Sequence, residues 1–419
     1  MSSALPPPPP PFTISRRAQA HAITASFLGW TLDAFDFFIL VFMMDRVAAD
    51  FHVDKAAIVA TLTGTLALRP VGALIFGMLA DRYGRRRPLI ANVICFSLVE
   101  LCCGFAPNYT VFLLLRCLYG IGMGGEWGVG ASLAMEIAPQ GRRGMLSGIL
   151  QSGYSIGYLL AAVAAWAILP HFAPHLGWRV MFWSGGLPAL LAFYIRTRVP
   201  ESEAWKQHRA PSVSALLRTL AGHGKTFAYL VGLMTLMMFL SHGTQDLYPD
   251  FLHEVHKFSQ GTVSSIAIFY NVGAVLGAVI FGHFSEKGRR QSMIAALALS
   301  LVLIPLWAFG RGAAWLALGA FLMQVGVQGA WGVIPAHLNE LAPDSARGLM
   351  PGLSYQLGIL FAAPVNSIEY YLRDRLGYPS ALALFETVVI VSLAAALLLG
   401  HEQRGRSFFH QAGSPASAP

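Results

Sequence analysis

Residues 122–144 read GMGGEWGVGASLAMEIAPQGRRG, and residues 326–348 read GVQGAWGVIPAHLNELAPDSARG. The two align without a gap at an offset of 204, sharing Trp127/Trp331, Glu136/Glu340 and Pro139/Pro343. At the same offset GMLADRYGRRRP (77–88) falls on FGHFSEKGRRQS (281–292). Chance similarity between Gly- and Ala-rich helices would not keep one register across both pairs. A chain that repeats once in the same direction has two equivalent halves. In a membrane, such halves are related by a pseudo-twofold axis along the membrane normal, with a site between them near the midplane.

Outward from the repeat, long apolar runs lie near 23–49, 58–80, 88–106, 111–135, 145–169 and 180–198, and again near 226–252, 262–284, 291–309, 314–340, 348–371 and 380–400. Each is long enough for a helix across about 30 Å of hydrocarbon. Composition agrees: of 419 residues 55% are hydrophobic and 12% charged, where soluble domains carry roughly 25% charge. The fold class is therefore an all-α membrane protein of twelve transmembrane helices in two six-helix halves. The expected organisation is a disordered proline-rich N-terminus (1–20, with the run Pro6–Pro11), an N-terminal bundle (21–198), a polar linker (199–225), a C-terminal bundle (226–400) and a polar tail (401–419), disordered from about Gly405. The N-terminus reads as lacking a cleavable signal.

The net charge is +8. In a soluble chain that excess would point to nucleic acid. Here it tracks topology, because cytosolic loops of membrane proteins are rich in Lys and Arg. With both termini cytosolic, 20 of the 29 basic residues fall inside and seven outside (Arg46, Lys55, Arg179, Lys257, Arg311, Arg373, Arg375). Arg69 and Arg116 remain within the membrane. The expected location is the plasma membrane, or the inner membrane of a bacterium. Cys95, Cys102, Cys103 and Cys117 sit in apolar runs without a CxxC pair and read as packing residues.

Gly77-x-x-x-Asp81-Arg82-x-Gly84-Arg85-Arg86 resembles the loop signature between helices 2 and 3 of the major facilitator superfamily. Its glycines permit close helix approach and a tight turn. Asp81 and the arginines can pair across a cytosolic gate, and the arginines also serve as positive-inside anchors. Arg116-x-x-x-Gly120-x-Gly122-x-Gly124 resembles the superfamily's helix 4 motif, and PESEAW (200–205) the segment after helix 6. The stretch Phe239-Leu-Ser-His-Gly-Thr-Gln-Asp-Leu-Tyr-Pro249 is similar to the His-x-Ser/Thr-Gln-Asp signature of fungal lactate/pyruvate permeases, within the sialate:proton symporter family. TLDAFDFF (31–38) and GGEWGVG (124–130) look like the same family and its aromatic-acid relatives. On that resemblance His242, Thr244, Gln245 and Asp246 are functional. The chain departs from it at Met238, where the family has Asn, and at Asp250, where it has Thr. These departures bear on substrate range.

Ionisable residues inside a membrane are costly and are functional candidates by default. At 1.5 Å per residue, Asp33 lies about 15 Å along helix 1, with Asp36 a turn further on the same face. Arg69 lies about 17 Å down helix 2 and Glu126 about 22 Å down helix 4. This excess of acid suits proton coupling, because low dielectric favours the protonated carboxyl and a neighbouring cation opposes it. An anion bound by Arg69 would weaken that opposition. The alternative is a static ion pair that fixes packing. Arg116, about five residues from the outer end of its run, is either a snorkelling anchor or a cavity residue. Asn271, Gln324 and Gln328 lie near mid-depth, where interhelical hydrogen bonding is the alternative to ligand binding. Tyr355 and Gln356 read the same way. Glu254 and Glu340, near run ends, read as interfacial, and Pro249 should break helix 7.

No phosphate-binding loop, metal-ligand cluster or nucleophile–base set is present, so neither a metal nor a cofactor is expected, nor enzymatic turnover. The resulting expectation is a monomeric, proton-coupled importer of small organic anions. Short monocarboxylates such as lactate or pyruvate come first, with sialic acid or another organic or aromatic acid as the alternative. A drug or metabolite exporter is disfavoured, because helix 5 (147–166) lacks the proline motif of the superfamily's antiporters. A nutrient sensor would need a soluble output domain. Asp33, Asp36 and Glu126 are assigned to proton coupling. Arg69, Arg116, His242, Thr244, Gln245, Asp246, Asn271 and Gln328 are assigned to substrate, and Gly77, Asp81, Arg82, Gly84, Arg85 and Arg86 to gating.

Overall fold

The structure is a computed structural model that describes residues 15–409. The proline run 6–11 and residues 410–419 lie outside the described residues. The first half comprises α1 (Arg16–Val41), α2 (Met44–Asp50), α3 (Lys55–Tyr83), α4 (Arg86–Cys103), α5 (Tyr109–Ile137), α6 (Arg143–Ile168), α7 (Pro174–Ser184) and α8 (Pro188–Arg198). Two short helices follow, α9 (Glu203–His208) and α10 (Val213–Gly222). The second half comprises α11 (Gly224–Gln245), α12 (Tyr248–Glu254), α13 (Gln260–Phe284), α14 (Arg289–Phe309), α15 (Ala313–Leu341), α16 (Met350–Phe361), α17 (Val365–Leu376) and α18 (Tyr378–Leu399). Paired as α1–α2, α7–α8, α11–α12 and α16–α17, these helices make twelve crossings. Among the described residues eight helical segments are individually long and apolar enough to cross a membrane. Trp166, Leu190, Phe193, Val302 and Leu399 project from the outer surface at 70–83% exposure. Water would penalise such a surface and hydrocarbon does not.

Two ends differ from expectation. Residues 16–20, expected with the disordered N-terminus, form the first turn of α1, where the Ser15 side chain accepts from the Ala18 amide. Tail residues 405–409, also expected to be disordered, dock on the bundle, and Phe408 is fully buried.

Among the described residues four crossings are discontinuous, the first of them at Phe42-Met43 between α1 and α2. The break expected at Pro249 lies at Asp246–Leu247, between α11 and α12. Two more interrupt runs that read as continuous. The sixth crossing opens at Gly185-Gly186-Leu187, and α8 restarts with Pro188 at its first position, where the missing amide costs nothing. The eleventh opens at Ala362-Ala363-Pro364. Broken backbone at membrane depth is tolerated only against protein or a cavity. The sixth break meets that condition: a Cβ at Gly185 would lie 2.6 Å from Glu100 Cγ and 3.1 Å from Asp36 Oδ1.

Small residues set the interfaces. Cβ atoms at Gly120 and Gly124 would strike the carbonyls of Thr65 and Arg69 at 2.2 and 1.9 Å. The glycine series after Arg116 thus seats α3 against α5 and fixes the depth of Arg69. Between halves, α3 packs on α16 and α6 on α13. A Cβ at Gly77 would come within 2.8 Å of Leu349 Cα, and one at Gly148 within 2.1 Å of the Ala278 carbonyl.

Candidate functional site

A cavity of about 400 Å³ lies between the halves. Phe37 and Phe38 of α1, Arg69 of α3 and Gln151, Tyr154 and Tyr158 of α6 wall one side. Ser241, His242, Gln245 and Asp246, with Asn271, Gln328, Trp331 and Tyr355, wall the other. Asp246 is exposed, so the cavity communicates with the face opposite the arginine-rich one. An aromatic stack closes its floor. Tyr355 lies on Trp127 with ring centroids 4.3 Å apart, and Trp30 and Trp331 meet its edges at 6.1 and 5.7 Å.

Of the residues assigned to substrate, Arg69, His242, Gln245, Asp246, Asn271 and Gln328 line this cavity. Two do not. Thr244 is buried behind the wall, where its hydroxyl donates to the Leu240 carbonyl (2.9 Å) and accepts from Gln324 (3.1 Å). Gln324 in turn accepts from Gln245 (2.9 Å), so Thr244 orients the cavity-lining Gln245 through one intermediary. Arg116 is fully buried at 2.7 Å from Glu100 Oε2, with Tyr119 beneath its guanidinium. It is neither a snorkelling anchor nor a cavity residue; burial of both partners on α4 and α5 makes it one side of an internal ion pair. His242 Nδ1 sits 3.1 Å from Asp246 Oδ2, which also accepts from Asn366 (3.3 Å).

Asp33, Asp36 and Glu126 lie behind the wall and are fully buried, with no protein hydrogen-bond partner for their carboxylate oxygens. Glu126 packs on α1 so closely that a Cβ at Gly29 would lie 2.2 Å from its Oε1. Arg69 stands between the two environments: its charge acts on Asp33 and Glu126 on one side and on His242 on the other. Its Nε and Nη2 have no protein partner. The sequence places three carboxylates and one arginine at this depth. Glu100 and its partner Arg116 enlarge the group, since Glu100 also acts on Asp33 and Asp36. Glu100, Glu369 and Glu386 escape the sequence-based assignments, although each is an acid within an apolar run.

At the arginine-rich face the halves are locked together. Asp81, at the end of α3, accepts from the Gly348 and Leu349 amides ahead of α16 at 2.8 and 2.9 Å, and from its own half's Arg85. Glu136 receives Arg85 of its own half (2.8 Å) and Arg347 of the other (3.2 Å). Glu340 receives Arg289 of its own half (3.0 Å) and Arg143 of the other (3.1 Å). Each member of one set is offset by 204 from its counterpart. Glu340 is therefore a buried member of a cross-half ion-pair cluster and not interfacial, because the repeat places it where Glu136 stands. Glu254 is half-exposed beside Arg373. Arg82 and Arg86 do not cross between halves. Arg82 donates to the Ala210 and Pro211 carbonyls of the connecting segment, and Arg86 to the Arg196 carbonyl. Gly84 has φ 103° and leaves room for Glu201, which accepts from the Arg85 amide at 2.8 Å. Over these ion pairs Phe408 lies between the two cross-half arginines, 3.9 Å from Arg143 and 3.8 Å from Arg347. Arg406 beside it donates to the Glu340 and Ala342 carbonyls.

The chain matches the family model described as sugar (and other) transporter over residues 22–216 and 223–399. It is 31% identical to a carboxylic acid transporter protein homolog of Saccharomyces cerevisiae, covering 90% of this chain and 67% of that one. It is 29% identical to the sialic acid transporter NanX of Escherichia coli, covering 93% and 96%. Its fold is similar to that of the proton:xylose symporter XylE, with a TM-score of 0.73 at 17% identity over 93% of this chain and 98% of that one. Two six-helix halves, a repeat carried into the ion pairs that join them and a cavity between them, together with these matches, define the protein's class: the chain belongs to the sugar (and other) transporter family of the major facilitator superfamily, a multi-pass membrane transporter and not an enzyme.

Proposed function

We propose that the protein imports small organic anions together with protons by alternating access, with short monocarboxylates such as lactate or pyruvate as its substrates. The observation that carries this is Arg69, a cavity-lining arginine with an unpartnered Nη2, backed by carboxylates. A guanidinium fork matches a planar carboxylate better than any other side chain. The names of the similar proteins support the substrate class, since they include carriers of carboxylic acid, sialic acid, niacin and cis,cis-muconate. A cavity of about 400 Å³ lies within the range of small-molecule ligand sites and admits a short acid and a sugar acid alike, so the choice of a short acid rests on the helix 7 resemblance.

In this reading both termini and the arginine-rich face are cytosolic, so the gate of Asp81, Glu136 and Glu340 is shut and the cavity faces outward. An anion entering past Asp246 meets Arg69, with His242 and Gln245 at its other end. The bound charge competes with Asp33 and Glu126 for Arg69, and a buried carboxylate that loses its cation gains affinity for a proton. Cargo and proton then travel together when the gate opens. Uptake of a labelled carboxylic acid panel into proteoliposomes, with and without an inward proton gradient, tests this. Accumulation of a monocarboxylate only under the gradient supports it. Sialic acid accumulating in preference to lactate would select the alternative substrate, and equal uptake without the gradient would remove proton coupling.

A further inference from the structure

The second half holds a separate set of buried acids that the mechanism above does not use. Glu369 on α17 and Glu386 on α18 are 1% and 0% exposed, and none of their four carboxylate oxygens has a protein hydrogen-bond partner. In the first half Asp33, Asp36, Glu100 and Glu126 each have Arg69 or Arg116 acting on them. Here the acting charges are acidic: Asp246 on Glu369, and Glu369 on Glu386. An ionised carboxylate buried with neither cation nor hydrogen bond costs several kcal/mol. Such a group instead carries a proton.

The two acids differ in access. Glu386 is pressed into the packing of α11 against α18, where a Cβ at Gly243 would lie 2.1 Å from its Oε1. Glu369 lies three residues after Asn366 and so on the same face of α17. Asn366 donates to Asp246 Oδ2 (3.3 Å), and Asp246 is exposed at the cavity beside His242 (3.1 Å). The break that ends α11 and the break that starts α17 thus meet at one place. The charged groups facing Glu369 are Asp246, from the α11–α12 break, and Glu386 of α18; His242, in the last turn of α11, faces Asp246, and the Tyr378 hydroxyl donates to the Leu247 carbonyl. Arg373, a turn further along α17, is taken up by Glu254 and Asp374.

We propose that Glu369 is a second proton-binding site of this transporter, reached from the cavity through His242 and Asp246 and independent of the acids of the first half. Glu386 holds its proton permanently, whereas Glu369 exchanges its own with the cavity. This extends the proton-coupled reading above, and its test uses neither substrate nor gradient, so the two can fail separately. Infrared difference spectra of the reconstituted full-length protein, recorded between acid and alkaline buffer, report protonated carboxyl groups by their carbonyl stretch. The wild-type spectrum is expected to contain a component that Glu369→Gln removes and Glu386→Gln leaves in place. Asp246→Asn, which removes a negative neighbour without touching Glu369, should move that component to lower pH. An unchanged spectrum in Glu369→Gln, loss of the component in Glu386→Gln instead, or no displacement in Asp246→Asn would each overturn the assignment. The Asp246→Asn arm stands even if Glu369→Gln does not fold.

Discussion

At the residue scale, two arginines that look alike in the sequence have different tasks. Arg69 faces the cavity, whereas Arg116 is consumed by Glu100 at 2.7 Å. Arg69→Lys keeps the charge and loses the fork, so substrate binding to the purified protein should fall at least about tenfold, in line with the advantage of bidentate charge-assisted pairing. Arg116→Lys should leave binding intact and lower the thermal unfolding midpoint, because a fully buried pair is sensitive to geometry. If Arg116→Lys alone loses binding, the anchor lies on α5. Asp36→Asn and Glu126→Gln should abolish accumulation under a proton gradient while retaining counterflow exchange. Continued accumulation in both would make those acids structural. The depth of Asp33, Arg69 and Glu126 was legible because helical rise converts sequence distance into depth. Arg116's partner was not, because Glu100 belongs to another helix and pairing across helices has no sequence spacing. Thr244 faced the wrong way for a similar reason: a motif gives identity, and only packing gives direction.

At the element scale, the proposed gate joins α3, α5, α6, α14, α15 and the start of α16 through paired carboxylates. Glu136 and Glu340 stand in equivalent places, so Glu136→Gln and Glu340→Gln should have similar effects. Each leaves two arginines sharing a neutral amide, and breaking a buried pair in this way costs about 3–5 kcal/mol. Both should shift the population toward an open cytosolic side, read as increased labelling of a cysteine placed at the buried Ala346. Unequal effects would mean that the gate does not obey the repeat. Phe408→Ala should act in the same direction, since it removes two cation–π contacts, each worth about 2 kcal/mol when desolvated. Asp81→Asn should slow transport with little change in outward-state affinity, and normal turnover in that variant would exclude it from the gate. The repeat made the gate partly visible: the pairs 85/289, 136/340 and 143/347 share the offset, although that they exchange partners across the axis appears only once the halves are packed. The breaks in the sixth and eleventh crossings were hidden because averaged apolarity does not register Gly185-Gly186 or Pro364. The docking of Phe408 was hidden in a tail whose composition is polar, and its one signal was the pair Phe408-Phe409.

At the scale of the whole molecule, the fold was the most legible level, because it rests on run length, charge asymmetry and a repeat that each constrain all twelve crossings. The cavity was legible only as a location between halves. The functional claim is that anion and proton cross together through one cavity closed at the arginine-rich face. Lumenal pH measured during substrate entry tests it most directly. Proteoliposomes containing the wild-type protein start with equal pH on both sides and receive external lactate. Protein-free vesicles and Arg69→Lys serve as controls for passive entry of the undissociated acid. The expected result is lumenal acidification that exceeds both controls, rises in step with labelled lactate uptake and is lost in Asp36→Asn. Protein-dependent lactate uptake with no more acidification than the controls show would contradict proton symport.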